Sequence, residues 1–155
     1  MSTNFGIIQA SDISIKNNKK NIKNMNENTT EHRVRYADTD NGGVAYYARY
    51  LEWLEVGRTE LLRKNGITYA VYEKKGQFAP VININLTYKS PARYDDLLVL
   101  KTSIREIGNS SIKFVYELTK KEDSSIIAYG ETTNIFVHKN LRPIPVPKEI
   151  RDILG

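Results

Sequence analysis

A long amphipathic segment that is followed by strand patterns is the feature that most constrains the fold of this chain. From about Val44 or Ala45 to Lys64, apolar side chains recur at helical spacing, and Gly66 follows as a typical helix stop. The apolar positions of this segment are Tyr47, Tyr50, Leu51, Leu54, Leu61 and Leu62. About 20 helical residues span roughly 30 Å. A helix of this length must lie across a wide surface.

Alternation of apolar and polar residues predicts that this surface is a β-sheet. The predicted strands are residues 32–36, 82–88, 97–107, 112–118 and 126–137. Turn-forming residues separate the later strands, as at 108–111, and a short helix is predicted for residues 150–154. One long helix followed by a run of antiparallel strands is typical of an α+β domain in which the helix packs on the sheet.

The composition indicates a single soluble globular domain. The chain has 155 residues, of which 40% are hydrophobic and 26% are charged. It contains no cysteine, which excludes disulfides, thiol nucleophiles and Cys-based zinc sites and fits a reducing compartment. No apolar run approaches the roughly 20 residues of a membrane span, and the N-terminus lacks the pattern of a secretory signal. We therefore expect a cytoplasmic protein.

The first 30 residues differ in composition from the rest of the chain. They are polar and rich in Asn and Lys, so they carry too little apolar surface to fold and are predicted to be disordered. Residues 31–155 are predicted to form the domain. The formal net charge of +5 leaves open a nucleic-acid-binding module that uses this basic tail. Residues 16–30 contain neither Arg nor an aromatic residue, which makes nucleic acid the less favoured partner.

The run from Tyr36 to Tyr50 carries the residue types needed for acyl transfer. Asp40 lies a few residues before the predicted helix start, with Gly42 and Gly43 between them. Free backbone N–H groups at a helix start can bind a developing oxyanion. A carboxylate beside an oxyanion site is the minimum equipment for acyl transfer. Asp38 is interpreted as a structural cap or turn residue.

Two stretches of the sequence resemble a known enzyme family. They are residues 33–40, with Gly43, Val44 and the helix positions that follow, and residues 88–97. Both are similar to the hotdog-fold acyl-CoA thioesterases of the 4-hydroxybenzoyl-CoA thioesterase type, and nearest to the subfamily associated with the Tol-Pal system. The resemblance implies a hotdog fold, in which an antiparallel sheet wraps a long central helix. It also implies a homodimer or homotetramer whose sites form between subunits, and a reaction in which coenzyme A enters as part of the substrate, without a separate cofactor or a metal ion.

The resemblance also implies roles for particular residues. The carboxylate at the position of Asp40 acts as nucleophile or general base, and the backbone N–H at the position of Tyr47 polarises the thioester carbonyl. The other candidates at the predicted helix start are Gly43, Val44 and Tyr46. The secondary pocket candidates are Tyr36, Glu55 and Arg58, and the candidates for binding coenzyme A are Lys89, Arg93, Ser110 and Ser111. Glu55 and Arg58 lie three residues apart on one helical face, so a salt bridge is their leading interpretation, and Glu55 is the second choice for the reacting carboxylate.

Other classes of protein are compatible with parts of the pattern. A hotdog protein that binds acyl-CoA without hydrolysing it is the main alternative to a thioesterase. The Asp38-Thr-Asp40 pair is also a possible magnesium site, but no further carboxylate cluster or phosphate-binding loop supports it. A serine hydrolase is not indicated, because the sequence contains no Gly-x-Ser-x-Gly motif. The acyl group itself cannot be read from the sequence.

Overall fold

The structure, a computed structural model, describes residues 26–155 as strands joined by three helices. The strands are β1 (Glu27–Arg33), β2 (Gln77–Phe78), β3 (Val81–Tyr88), β4 (Leu97–Ile107), β5 (Ser111–Lys120), β6 (Ile126–Ile135) and β7 (Val137–His138). The helices are α1 (Arg49–Lys64), α2 (Tyr69–Lys74) and α3 (Lys148–Leu154). Five strands form an antiparallel sheet in the order β1-β4-β5-β6-β3, and β2 pairs with β7.

The predicted sequence of elements, one long helix and then a run of antiparallel strands, is confirmed. Strand β4 has the predicted bounds, β3 begins one residue earlier than predicted, and β5 begins one residue earlier and ends two residues later. The last predicted strand is divided, because β6 ends at Ile135 and Val137 already pairs with Phe78 of β2. The short elements α2 and β2 were not predicted. None of the helices within residues 26–155 is long and apolar enough to cross a membrane.

The first strand begins and ends earlier than predicted. Strand β1 covers Glu27–Arg33 and pairs with β4, so the last residues of the polar segment 1–30 belong to the sheet. Residues 1–25, on which the rest of the predicted disordered tail falls, lie outside the described residues. The predicted continuation to Tyr36 was wrong, because Tyr36–Asp38 form a turn of 3₁₀-helix. The Asp38 carboxylate accepts the Arg35 N–H at 2.8 Å, which stabilises this turn against further strand pairing.

The start of the long helix was also predicted incorrectly. Helix α1 begins at Arg49 rather than at Val44 or Ala45. The N–H groups of Ala45 and Tyr46 donate to Ala92 O and Asp38 O, both at 2.8 Å. Residues 45 and 46 therefore belong to a loop that is bound to two other segments. The helix ends at Lys64 as predicted, and Gly66 has the positive φ of 79° that a helix stop requires.

Helix α1 packs closely on strands β1 and β4. Its buried side chains are Tyr50, Trp53, Leu54, Leu61 and Leu62. The closest approach is at Gly57, where a Cβ atom would lie 2.4 Å from Thr102 Oγ1 and 2.7 Å from Leu100 Cδ2. The absence of a side chain at Gly57 thus sets the distance between the helix and the centre of β4.

Strand β3 is an edge of the five-stranded sheet, and its outer side carries no partner strand within residues 26–155. Ile82 and Ile84 of this strand are 60% and 44% exposed. On its inner side, Asn85 and Leu86 approach Gly130 of β6 so closely that a Cβ atom there would lie 2.1 Å from Asn85 O. Unpaired edges with apolar side chains are surfaces on which another strand can pair.

Candidate active site

The loop that precedes α1 is fixed by Asp38. Its carboxylate is 1% exposed and accepts hydrogen bonds from Arg35, from the backbone N–H and Nη2 at 2.8 Å and from Nε at 3.2 Å. The hydrogen bonds and charge of Arg35 hold the pKa of Asp38 below its ordinary value. The backbone carbonyl of Asp38 also accepts the Tyr46 N–H. The interpretation of Asp38 as a structural residue is confirmed.

Asp40 lies in a tight turn within this loop. Its N–H donates to Val44 O at 2.9 Å, and its carbonyl accepts the Gly43 N–H at 3.0 Å. Gly43 has φ of 73°, a conformation that glycine adopts without strain. The carboxylate oxygen Oδ1 accepts the Gly42 N–H at 2.7 Å, whereas Oδ2 has no hydrogen-bond partner among the described residues. One oxygen of Asp40 is therefore anchored, and the other is available for chemistry.

Asp40 lines an open groove of about 350 Å³. The other lining residues are Val44, Ala45, Tyr47, Tyr50, Tyr88, Lys89, Ser90 and Pro91. These residues come from the loop before α1, from the first turn of α1 and from the end of β3. The two stretches that resemble a known family therefore meet at one groove, although they are far apart in the sequence.

Only some of the predicted oxyanion donors are available. The Gly43 and Tyr46 N–H groups already donate to backbone carbonyls, so an oxyanion would have to displace those hydrogen bonds. The N–H groups of Val44, Tyr47 and Ala48 have no hydrogen-bond partner within residues 26–155. Tyr47, one of these, lines the groove with Asp40. This arrangement is able to bind a carbonyl oxygen near the free carboxylate oxygen.

Tyr88 is a groove residue to which sequence reasoning gave no role. Its hydroxyl donates to the Tyr47 carbonyl at 2.9 Å, and its ring packs edge-on against the Tyr50 ring with 4.9 Å between centroids. The only sequence signal was its position at the start of the second resembling stretch. A contact between residues 41 positions apart cannot be found from local patterns.

The secondary pocket candidates do not lie in this groove. Tyr36 is 76% exposed and contacts the Tyr94 ring, with 4.4 Å between centroids. Glu55 and Arg58 line a separate cavity of about 200 Å³ between α1, α2 and the sheet. The predicted salt bridge between them was wrong, since neither forms an ion pair with any residue of 26–155. Arg58 instead lies near the buried Tyr116 hydroxyl, where it opposes the rise in the pKa of Tyr116 that burial causes.

The candidates for binding coenzyme A divide into two groups. Lys89 lines the groove, and Arg93 lies beside it, donating to the Gly43 carbonyl at 3.3 Å. Ser110 and Ser111 lie at the β4–β5 turn, where the Ser110 carbonyl accepts the Phe136 N–H at 2.7 Å, and neither serine lines the groove. The part of the chain that the structure describes holds no group of three or more His, Asp or Glu side chains placed to bind a metal ion.

Comparison with known proteins shows the family of this chain. The profile of the thioesterase superfamily matches residues 42–127. The chain is 40% identical to YneP of Bacillus subtilis, over 83% of this chain and 93% of that protein. It is 34% identical to the acyl-CoA thioesterase YbgC of Haemophilus influenzae, over 77% of this chain and 88% of that protein.

The fold is also shared with solved structures. The DHNA-CoA thioesterase of Staphylococcus aureus has a TM-score of 0.76 and 30% identity, and the match covers 81% of this chain and 85% of that one. The predicted α+β class and hotdog fold are confirmed.

Proposed function

Because this chain belongs to the thioesterase superfamily, we propose that it hydrolyses acyl-CoA thioesters to a free acid and coenzyme A. The observation that carries the proposal is the groove in which Asp40 and the unpaired Tyr47 N–H lie together. The relatives that are named acyl-CoA thioesterases support the choice of substrate. The reaction uses no separate cofactor, since coenzyme A enters as part of the thioester.

The free oxygen of Asp40 is the reacting group in this proposal. As a nucleophile, Oδ2 attacks the carbonyl carbon, the C–S bond breaks, coenzyme A leaves as the thiolate, and water then hydrolyses the mixed anhydride. As a general base, Oδ2 takes a proton from the water molecule that attacks the carbonyl. In both routes the carbonyl oxygen becomes negatively charged, and the unpaired N–H group of Tyr47, in the groove, stabilises that charge.

We further propose that the active unit is a homodimer or a larger homo-oligomer formed through β3. The strand has a free edge and exposed apolar side chains, Ile82 and Ile84, on the same element that ends at Tyr88. A second copy that pairs with this edge places its own residues beside the groove. Lys89 and Arg93, next to the groove, are the proposed contacts for the phosphates of coenzyme A. The cysteine-free sequence suits a reducing compartment, and we propose the cytoplasm as the location.

Replacement of Asp40 by Asn tests the function. Asn keeps an Oδ1 atom for the Gly42 N–H and removes the carboxylate, so the loop is retained while the reacting oxygen is lost. We expect a panel of benzoyl, phenylacetyl, short-chain and long-chain acyl-CoA thioesters to show thiol release by the wild type and none by Asp40→Asn. Binding of acyl-CoA, measured by calorimetry, is expected to stay within about threefold.

Two results contradict the proposal in different ways. Thiol release by Asp40→Asn at the wild-type rate removes Asp40 from the mechanism. Binding of acyl-CoA by the wild type, without thiol release from any thioester of the panel, indicates an acyl-CoA-binding protein instead of a hydrolase. Asp152→Asn is the matched control, because Asp152 is exposed and, among residues 26–155, pairs only with Lys148 on α3.

A further inference from the structure

Tyr88 contacts the backbone of Tyr47, the residue whose N–H is the proposed oxyanion donor. Its hydroxyl donates to the Tyr47 carbonyl at 2.9 Å. The Tyr47 carbonyl and the Ala48 N–H belong to one planar peptide unit, so a bond to the carbonyl fixes the direction of the N–H. The Tyr46 carbonyl, in the preceding peptide unit, accepts the Arg49 N–H at 2.9 Å and fixes the Tyr47 N–H in the same way.

The two peptide units are held by different parts of the fold. Arg49 is the first residue of α1, and its bond to Tyr46 is a local one. Tyr88 is the last residue of β3, so its bond joins the edge strand to the loop. Without the Tyr88 hydroxyl, the Tyr47–Ala48 peptide unit has no recorded hydrogen bond within residues 26–155.

The contacts of the Tyr88 ring hold its hydroxyl in a position from which it can donate to the Tyr47 carbonyl. Its ring packs at 89° against the Tyr50 ring, and Tyr50 is only 3% exposed. Burial, followed by the neighbouring Tyr50 and Tyr47, raises the pKa of Tyr88, so the hydroxyl keeps its proton at neutral pH. A fixed ring and a protonated hydroxyl are the two requirements for a lasting hydrogen bond to a carbonyl.

We propose that Tyr88 is a positioning residue, which holds the backbone of Tyr47 through its carbonyl so that the Tyr47 N–H keeps its place in the groove and binds the oxyanion. This role rests on the proposed thioester hydrolysis. It assigns the hydroxyl no contact with the substrate, and its effect is on the transition state through the backbone amides. Misplacement of a catalytic group by about 1 Å costs roughly 100-fold in rate, so a peptide unit that is free to rotate is expected to lower turnover strongly.

Tyr88→Phe is the direct test, because it removes one hydroxyl and keeps the ring on Tyr50. We expect kcat for thiol release to fall roughly 10- to 100-fold, with KM changed less than about twofold. A purely structural role does not predict this division between kcat and KM. Tyr69→Phe is the matched control, since the Tyr69 hydroxyl also bonds a backbone group, the Ala79 N–H, outside the groove.

A second measurement detects the hydrogen bond from Tyr88 to Tyr47 directly, without an activity assay. In an NMR experiment that correlates the Ala48 amide with the preceding carbonyl carbon, loss of the donor is expected to shift the Tyr47 carbonyl signal upfield in Tyr88→Phe. The same signal is expected to be unchanged in Tyr69→Phe.

The outcomes separate this inference from the proposed function. Wild-type kcat in Tyr88→Phe, or an unshifted Tyr47 carbonyl signal, overturns the positioning role while leaving the hydrolase intact. Turnover that survives Asp40→Asn removes Asp40 from the mechanism, and the kcat of Tyr88→Phe then tests the positioning role by itself. A lowered kcat with unchanged KM, together with the carbonyl shift, supports the inference.

Discussion

Arg35 and Asp38 join the two ends of the turn from which the Asp40 loop begins. The buried carboxylate accepts the backbone N–H of Arg35 and two donors of its guanidinium. Asp38 also holds Tyr46 through its carbonyl, so one residue links the end of β1 to the segment before α1. The place of Asp40 and of the unpaired amides before α1 therefore depends on a buried residue outside the groove.

Asp38→Asn is expected to destabilise the protein by about 1.5–3 kcal/mol, the range for hydrogen bonds to charged groups. The amide nitrogen of Asn faces an Arg35 donor, so at least one hydrogen bond is lost in a buried position. Urea unfolding monitored by circular dichroism measures the change. Asp152→Asn, at an exposed helix pair, is expected to change stability by less than about 1 kcal/mol, and an equal loss in both variants would contradict the prediction.

The contribution of Asp38 to stability is expected to depend on pH. Its folded-state pKa lies below the unfolded value of about 3.9, so the contribution is complete above that pH and is lost as pH falls through the folded pKa. The difference in unfolding free energy between wild type and Asp38→Asn should thus be constant from pH 7 to 5 and shrink at lower pH. Urea unfolding at pH 7, 5, 4 and 3 provides the comparison, and a difference that grows on acidification would refute it.

Tyr47→Phe is expected to change kcat by less than about threefold. The proposed donor at this position is the backbone N–H, which the substitution keeps. The phenol lies beside Tyr46, whose ring centroid is 4.6 Å away, and that contact is also kept. Thiol release measures turnover, and circular dichroism checks the fold. A collapse of activity in a folded Tyr47→Phe protein would assign a role to the hydroxyl.

Gly57→Ala is expected to cost about 1–3 kcal/mol, the usual range for an overpacked core. The new methyl group would meet Thr102 Oγ1 and Leu100 Cδ2 at distances that no folded protein accepts without movement. Thermal unfolding is the measurement. Val56→Ala, on the adjacent and 43% exposed position of α1, is the control and should change stability by less than about 1 kcal/mol.

Ile82→Glu is expected to weaken self-association. A charge on the exposed part of β3 disfavours pairing with a second copy of the strand. Analytical ultracentrifugation should show a smaller species, and thiol release per protomer should fall if a partner completes the site. Val71→Glu, at a 48% exposed position of α2, is the control. An unchanged oligomeric state in Ile82→Glu would show that the interface lies on another surface of the protein.

The sequence predicted those features that depend on neighbours along the chain. Strand β4 was found at its exact bounds because turn-forming residues flank it, Asp95 and Asp96 before it and Gly108 after it. The end of α1 was found because Gly66 supplies a conformation that most residues avoid. Asp40 was predicted from its place before the helix start and from the resemblance, and Tyr47 from the resemblance; both line one groove.

Features that depend on distant parts of the chain were missed. The helix start was misplaced because the Ala45 N–H bonds to Ala92, a partner far along the sequence. The hydrogen bond from Tyr88 to Tyr47 was not foreseen for the same reason. The Glu55–Arg58 pair had suitable helical spacing, but Arg58 lies beside the buried Tyr116 hydroxyl.

The strand that ends at Tyr88 is also an edge strand of the sheet, and this position has a consequence for activity assays. If a second copy stabilises that edge, dilution below the dissociation constant of the dimer loosens the strand and the peptide unit it holds. Specific activity would then fall as the protein is diluted, and addition of an inactive Asp40→Asn subunit would restore it. Assays at nanomolar enzyme and at micromolar enzyme need not agree.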